Sequence, residues 1–379
     1  MAEGDIGAVI DTLEFDATQG AYCSIIHISG DVYAIAYDGP DSHGWLCTVT
    51  IDAAGQVGAA VIDTLEFDAT GGAYPRIIHI SGDVYAIAYT EVFSGDGWLC
   101  TVTIESNGQI GAAVIDTLEF DIAQCITPRI IHVSGDVYAI AYSGVLTDGW
   151  LCTVTIESNG QIGAAVIDTL EFDIAECNAP SIIHVSGNVY AIVYEGVDGD
   201  GWLRTVTIES NGLIGAAVIG TLEFDSEQGT EPVIIHISGE VYAIAYSGAL
   251  LDGWLRTVTI KSTGQALNID TLEFDVADCR NPSIVHVSGD VYAIAYSGVL
   301  TDGWLCTVTI ESNGQIGAAV IDTLEFDIDE GRWPDIIHAS RNIYAIAYSS
   351  VGNDGFVATI DIDTILSPLV QTDPATEIT

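Results

Sequence analysis

Residues 128–173 read PRIIHVSGDVYAIAYSGVLTDGWLCTVTIESNGQIGAAVIDTLEFD, and the chain repeats nearly the same text seven times. Four apolar runs rich in Val, Ile, Thr and Tyr, at 129–134, 137–143, 150–157 and 165–173, are separated by Gly, Asp and Asn, the pattern of consecutive antiparallel strands. We label them A, B, C and D. Gly135 and Asp136 between A and B predict a tight two-residue hairpin, and Asn159 with Gly160 between C and D supplies positive φ at low cost. One histidine per copy, at His27, His79, His132, His184, His236, His286 and His338, sets a period of 52, 53, 52, 52, 50 and 52 residues. Units of this size built from short strands cannot bury both faces of their sheets alone, so they pack side by side as propeller blades.

The phase of the repeat at its two ends decides how the ring closes. The chain opens on a lone D strand at 5–16, and its last copy supplies only A, B and C, ending near residue 363. The expected fold class is therefore all-β: a seven-bladed β-propeller with four antiparallel strands per blade, the final blade joining three C-terminal strands to the N-terminal one. Closure removes unpaired inner edges. Blades are expected at about 24–68, 75–121, 128–173, 180–225, 232–275, 282–327 and 334–363, giving one propeller over 1–363 and a tail or linker at 364–379. These near-identical blades resemble the recently amplified propellers of microbial and phage surface proteins, and the resemblance spans nearly the whole chain. The G-H and W-D signatures of WD40 blades and the paired glycines of kelch blades are missing. The resemblance implies a scaffold and names no site.

Composition narrows the partners. The 379 residues include 54 acidic and 8 basic ones, a formal charge of -46. Such a surface repels nucleic-acid phosphates and anionic membranes, so no nucleic-acid partner is expected. No apolar run is long enough for membrane insertion, and the opening MAEGDIG lacks the basic and apolar regions of a signal peptide. Repeat type and acidity favour an extracellular or cell-surface location, with the cytoplasm as the other option.

Comparing the copies separates two faces. The A–B and C–D links barely change, whereas the D–A loop reads ATQGAYC, ATGGAYP, IAQCITP, IAECNAP, SEQGTEP, VADCRNP and IDEGRWP, and the B–C loop varies as well. Both variable loops lie on one face, where Tyr22, Tyr74, Arg76, Phe93, Arg129, Arg204, Arg256, Arg280, Arg332 and Trp333 also fall. Arginine and aromatic residues are enriched at interfaces, which makes these the candidate ligand-binding residues. Loop drift after duplication is the plain alternative.

Other repeated residues read more simply. The seven histidines lie mid-strand in A, so buried imidazoles bonded to backbone are expected in preference to a metal ring. Trp45, Trp98, Trp150, Trp202, Trp254 and Trp304, with Phe356, open strand C and read as inter-blade packing, with sugar stacking as the sharper option. Asp198 and Asp200 in the B–C loop hint at Ca2+, although Asp-Gly is also ordinary turn chemistry. No other cofactor is implied. Cys47, Cys100, Cys152 and Cys306 share one position in strand C, and Cys23, Cys125, Cys177 and Cys279 share the D–A loop, which brings Cys23 with Cys47 or Cys152 with Cys177 within topological reach of a disulfide. Arg204 and Arg256 at the strand C position suggest a solvent-accessible site. No catalytic motif stands out, and near-identical blades oppose the convergence of different groups that an enzyme needs. The expected function is therefore non-enzymatic recognition or adhesion, binding a glycan or protein on the variable face as a monomer or a module of a larger surface assembly. A structural spacer or self-assembly module is the alternative, and a propeller enzyme with a site at the channel mouth is the third reading.

Overall fold

A computed structural model describes residues 2–364, so the expected tail falls, from residue 365 onward, outside the described residues. The described strands form seven four-stranded antiparallel sheets. In blade 3 they are Ile126–Ser134, Val137–Ser143, Gly149–Thr155 and Asp168–Asp173. Blades 1 to 6 run A-B-C-D in chain order, while the seventh sheet places Ile6–Asp16 beside Gly355–Ile362. Each strand A packs against its counterparts in the neighbouring blades, and contact between Ala21–Ser29 and Arg332–Ser340 completes the circle. Strand A is therefore the innermost strand all round the axis.

Strand B reads VYAIAY with no polar alternation because both of its faces are covered. Val137 to Tyr142 are at most 7% exposed. The bulky face of one blade packs on the small face of the one before: Tyr138, Ile140 and Tyr142 meet Ala86 and Ala88, and Ala139 and Ala141 meet Tyr190, Ile192 and Tyr194. Large-into-small packing repeated at each interface fills the space at crystal-like density. Hydrogen bonds clamp the same interfaces at both ends. Tyr142 OH donates to Asp121 Oδ2 at 2.6 Å near one end, and Thr101 Oγ1 donates to the Gly160 carbonyl at 2.6 Å near the other. Closure uses the same parts, since Thr307 Oγ1 donates to the Gly4 carbonyl at 2.6 Å.

Several expectations shift in detail. Strand C ends at Thr155, with Ile156 bridging Ile162 beyond it and its amide donating to the Asp136 carbonyl at 2.8 Å, and strand D begins at Asp168. The histidines are exposed, not buried. Each still bonds the backbone, its Nε2 lying 2.8–3.1 Å from the carbonyl oxygen three residues on, and each packs beside a strand B tyrosine, as His132 does on Tyr138 at 5.1 Å. The Nε2–H therefore donates to the turn carbonyl, which keeps a proton on Nε2. The tryptophans are half-buried against the blade cores. Trp150 lies so close over Gly144 that a Cβ there would meet its Cδ1 at 2.3 Å, which explains the glycine.

The cysteine argument is corrected. All eight thiols are free and buried, and the strand C cysteines are 0% exposed. Arg204 does not mark an open site. It leaves the buried position by reaching outward to Tyr194 and Asp173, with Nη2 to Asp173 Oδ2 at 2.7 Å, and Arg256 does the same toward Tyr246 and Asp225. Burial pushes the Cys152 thiol up, and its neighbour is Cys125, not Cys177.

Candidate active site at the channel mouth

The decisive local feature was hidden in the D–A loop. Residues 126–128, read from sequence as loop, belong to strand A beyond a bulge, with Ile126 paired to Ser143 and Arg129 to Ala141. The residue inside the bulge has positive φ in every blade: Tyr22, Tyr74, Thr127, Ala179, Glu231, Asn281 and Trp333, at 46–52°. A non-glycine residue in this region costs on the order of 1 kcal/mol. Glycine would relieve that cost, and the chain has 40 glycines, yet none occupies these seven positions. Bulges re-aim side chains, and all seven of these residues line one cavity of about 440 Å³.

Two residues further on, strand A supplies a second tier to the same wall: Arg76, Arg129, Ser181, Val233, Ser283 and Asp335. Ser143 and Glu195, from the ends of their B strands, complete the polar lining. The blades thus differ where they face the axis, as they also do in their B–C loops.

The lining is polarised. Blades 7, 1 and 2 provide an aromatic arc, with the Tyr22 ring 4.2 Å from both Tyr74 and Trp333. Blades 3 to 6 provide Thr127, Ala179, Glu231 and Asn281 instead. In the second tier, Arg76 Nη1 donates to the Cys23 carbonyl at 3.1 Å, and the Ile25 amide donates to Asp335 Oδ2 at 3.0 Å. Burial raises the Asp335 carboxyl, opposed by the Arg76 charge, the Ile25 amide and the Ser283 hydroxyl. Both charged residues keep some surface open to the cavity although the ring encloses them.

Two carboxyls on the polar side stand out. Burial pushes Glu231 up, opposed by the Asn281 amide, which donates to its Oε2 at 2.6 Å. Burial also raises Glu195, and the Glu231 and Glu176 charges add to the effect. Carboxyls raised by burial and like charge hold their protons more firmly, which suits them to proton transfer. In blade 3, Thr127 Oγ1 and Ser143 Oγ are buried without a hydrogen-bond partner among the described residues. Such groups cost about 1–3 kcal/mol each.

Of the candidates named from sequence, Tyr22, Tyr74, Arg76, Arg129 and Trp333 meet in this cavity. The others do not line it. Phe93, 77% exposed, stands at a separate rim groove with Glu91, Asp96 and Trp98. Arg204 and Arg256 are tied to Asp173 and Asp225, Arg280 pairs with Asp278 at 3.2 Å, and Arg332 pairs with Glu330 at 3.0 Å. Asp198 sits at a loop tip with φ 61°, and no group of three or more metal-binding side chains exists among the described residues, so Asp198 and Asp200 have no cluster to complete. Thr127, Ser143, Glu195, Glu231, Asn281 and Asp335 were missed. Their signal was a column and not a block: Glu231 is the one acid before the strand A proline, and Asp335 the one acid after it.

No family model matches the chain, and no curated protein matches its sequence. Solved structures share the fold at low identity. They include the periplasmic gluconolactonase of Pseudomonas aeruginosa, 15% identical with a TM-score of 0.60, covering 81% of this chain and 86% of that one. A putative 6-phosphogluconolactonase from Bacteroides fragilis is 14% identical with a TM-score of 0.60, covering 89% and 97%. Sqt1 from Chaetomium thermophilum, 14% identical with a TM-score of 0.53, covers 93% and 86%. The chain is thus a seven-bladed propeller whose neighbours include lactonase propellers, not the phage surface proteins that blade identity suggested.

Two expectations are corrected on this ground. A non-enzymatic recognition or adhesion module is not carried forward, because propellers of this architecture include a gluconolactonase. The inference that the chain is no enzyme rested on blade identity, and that identity stops at the axis, where different groups converge on one cavity. No helix among the described residues is long and apolar enough to cross a membrane.

Proposed function

We propose that the chain is a hydrolase of small cyclic sugar esters, of the lactone type, with the channel-mouth cavity as its active site. The observation that carries this reading is the pair of raised carboxyls, Glu195 and Glu231, set opposite an aromatic arc in one cavity of an otherwise repetitive molecule. The names of two structural neighbours, a gluconolactonase and a putative 6-phosphogluconolactonase, support the reaction class, and the periplasmic origin of the first supports an extracytoplasmic location.

The chemistry assigns roles as follows. Tyr22, Tyr74 and Trp333 offer apolar faces to the C–H face of a sugar ring. Glu231, held toward its ionised form by the Asn281 amide and made more basic by burial, takes a proton from water as that water attacks the lactone carbonyl. Arg76 faces the negative charge that develops on the carbonyl oxygen. Glu195, whose hold on its proton is strengthened by burial and its acidic neighbours, gives a proton to the ring oxygen as the C–O bond breaks. Water and lactone become a hydroxy acid, and solvent resets both carboxyls.

The test is acid release from glucono-1,5-lactone and a panel of neutral, carboxylated and phosphorylated lactones near pH 6.5, followed with a pH indicator. Turnover above the spontaneous rate is expected, falling on the order of 10²- to 10⁴-fold in Glu231→Gln. Hydrolysis at the spontaneous rate across the panel would refute the reading.

A further inference from the structure

We propose that the blade 3 wall of this cavity, built by Arg129, Thr127 and Ser143, is a seat for an anionic group of the ligand, a carboxylate or a phosphate. The inference rests on the cavity being the substrate site, as proposed above, and it names the substrate class: a sugar derivative carrying a fixed negative charge.

The first observation is an unpaired cation. Arg129 lines the cavity half-buried, yet its guanidinium has no hydrogen-bond or ion-pair partner among the described residues. Arg76 is bonded to the Cys23 carbonyl, and Arg204, Arg256, Arg280 and Arg332 each reach a carboxylate. With 54 acidic residues against 8 basic ones, an inward arginine left without a carboxylate is the reverse of what supply alone would give.

The second observation is independent. Ser143 is 1% exposed and its hydroxyl has no partner, and the Thr127 hydroxyl is in the same condition. At equivalent positions the Ser297 hydroxyl donates to the Gly331 carbonyl at 2.7 Å and the Ser247 hydroxyl to the Cys279 carbonyl; Ser143 makes no such bond, nor do Thr90 and Ser349, but only in blade 3 does the open hydroxyl stand beside an unpaired arginine. The pairing of Ile126 with Ser143 and of Arg129 with Ala141 places all three residues at one end of one hairpin. A planar guanidinium fork with two neutral hydroxyl donors in the same wall suits an oxyanion. Arg129 stands on the opposite side of the polar arc from Asn281, whose amide is already committed to Glu231.

The experiment is calorimetric titration of the whole protein with D-glucose, D-gluconate and D-glucose 6-phosphate as the neutral, carboxylate and phosphate probes. At least one charged sugar is expected to bind tenfold or more tightly than glucose, and the arm that does so identifies the anion. Arg129→Gln should lose that tenfold preference, read as the ratio of charged to neutral affinity within the variant, Arg129→Lys should keep part of it, and Thr127→Val with Ser143→Ala should weaken it further. Melting curves check that each variant is folded. Equal affinity for charged and neutral sugars, undiminished charge preference in Arg129→Gln, or no binding by any probe would overturn the seat. Charge preference that depends on Arg129 without turnover of any lactone would leave the seat standing and remove the hydrolase reading. Turnover without charge preference would remove the seat alone.

Discussion

Tyr142→Phe deletes one hydroxyl from the interface between blades 2 and 3, and its cost can be set against the same change one blade on. Tyr142 OH serves Asp121 Oδ2 at 2.6 Å, while Asp121 Oδ1 is occupied by the amides of Ala123 at 2.8 Å and Gln124 at 3.1 Å. Removing the hydroxyl strips the donor from Oδ2, and a hydrogen bond to a charged group contributes about 1.5–3 kcal/mol. At the interface between blades 3 and 4 the matching Asp173 Oδ2 also receives Arg204 Nη2 at 2.7 Å, and Arg204 Nε donates to Tyr194 OH at 2.8 Å. After Tyr194→Phe the guanidinium still serves the carboxylate, and water reaches Nε because the Arg204 side chain is 25% exposed. The expected cost there is only about 1 kcal/mol. Urea unfolding of both variants with the slope held common should separate them by about 1 kcal/mol or more. Replacing Arg204 by the cysteine found in blades 1, 2, 3 and 6 should bring the Tyr194→Phe cost up to the blade 3 value, a coupling that a double-mutant cycle measures. Equal costs at Tyr142 and Tyr194 in the unmodified background would refute the claim that the arginine shares the load.

Deleting residues 1–16 removes the outer strand of the seventh sheet with its seven registered pairs, the buried Phe15 ring and the Gly4 acceptor of Thr307. A sharp fall in melting temperature with oligomers on a sizing column is expected, and an unchanged curve with monomeric elution would sink the closure argument. The charge of -46 predicts that stability rises from low salt to about 1 M monovalent salt, where the Debye length falls to roughly 3 Å; thermal melts flat across that range would show the acids too widely spaced to matter. Asp38 is 6% exposed, and burial pushes its carboxyl up to about 7, opposed by the Gln19 amide. Because the folded value lies above the ordinary one, its stabilising contribution is complete below about pH 4 and is lost as pH rises through 7. Asp38→Asn should flatten the melting temperature between pH 4 and 7 and raise it at pH 8, and an unaltered profile would remove Asp38 as the cause.

The blade was legible because its signals are local. Alternation of apolar runs with Gly, Asp and Asn marks the strands, and the period of the histidines counts them. The phase of the ends told how many strands each sheet has, whereas the double cover of strand B came only with the structure. The site was only half legible. Arg76, Arg129, Tyr22, Tyr74 and Trp333 were picked out by residue type, but the same criterion also gathered Arg280 and Arg332, which their own acidic neighbours neutralise. Glu195, Glu231 and Asp335 went unread because acids are everywhere in this chain, and only alignment of the copies column by column singles them out.

What the amino-acid sequence determined by itself was the blade and its repetition, since strand alternation and turn residues act over a few positions of chain. Which variable residues share a cavity was decided by the tertiary structure. The bulge turns Thr127 and its six counterparts toward the axis, and contact between successive A strands gathers all seven on one cavity. Closure then brings Trp333 against Tyr22 from opposite ends of the chain. Burial at the axis, and with it the raised carboxyls of Glu195 and Glu231, arises only when all seven blades have met, because desolvation is a property of the assembled ring and of no single repeat.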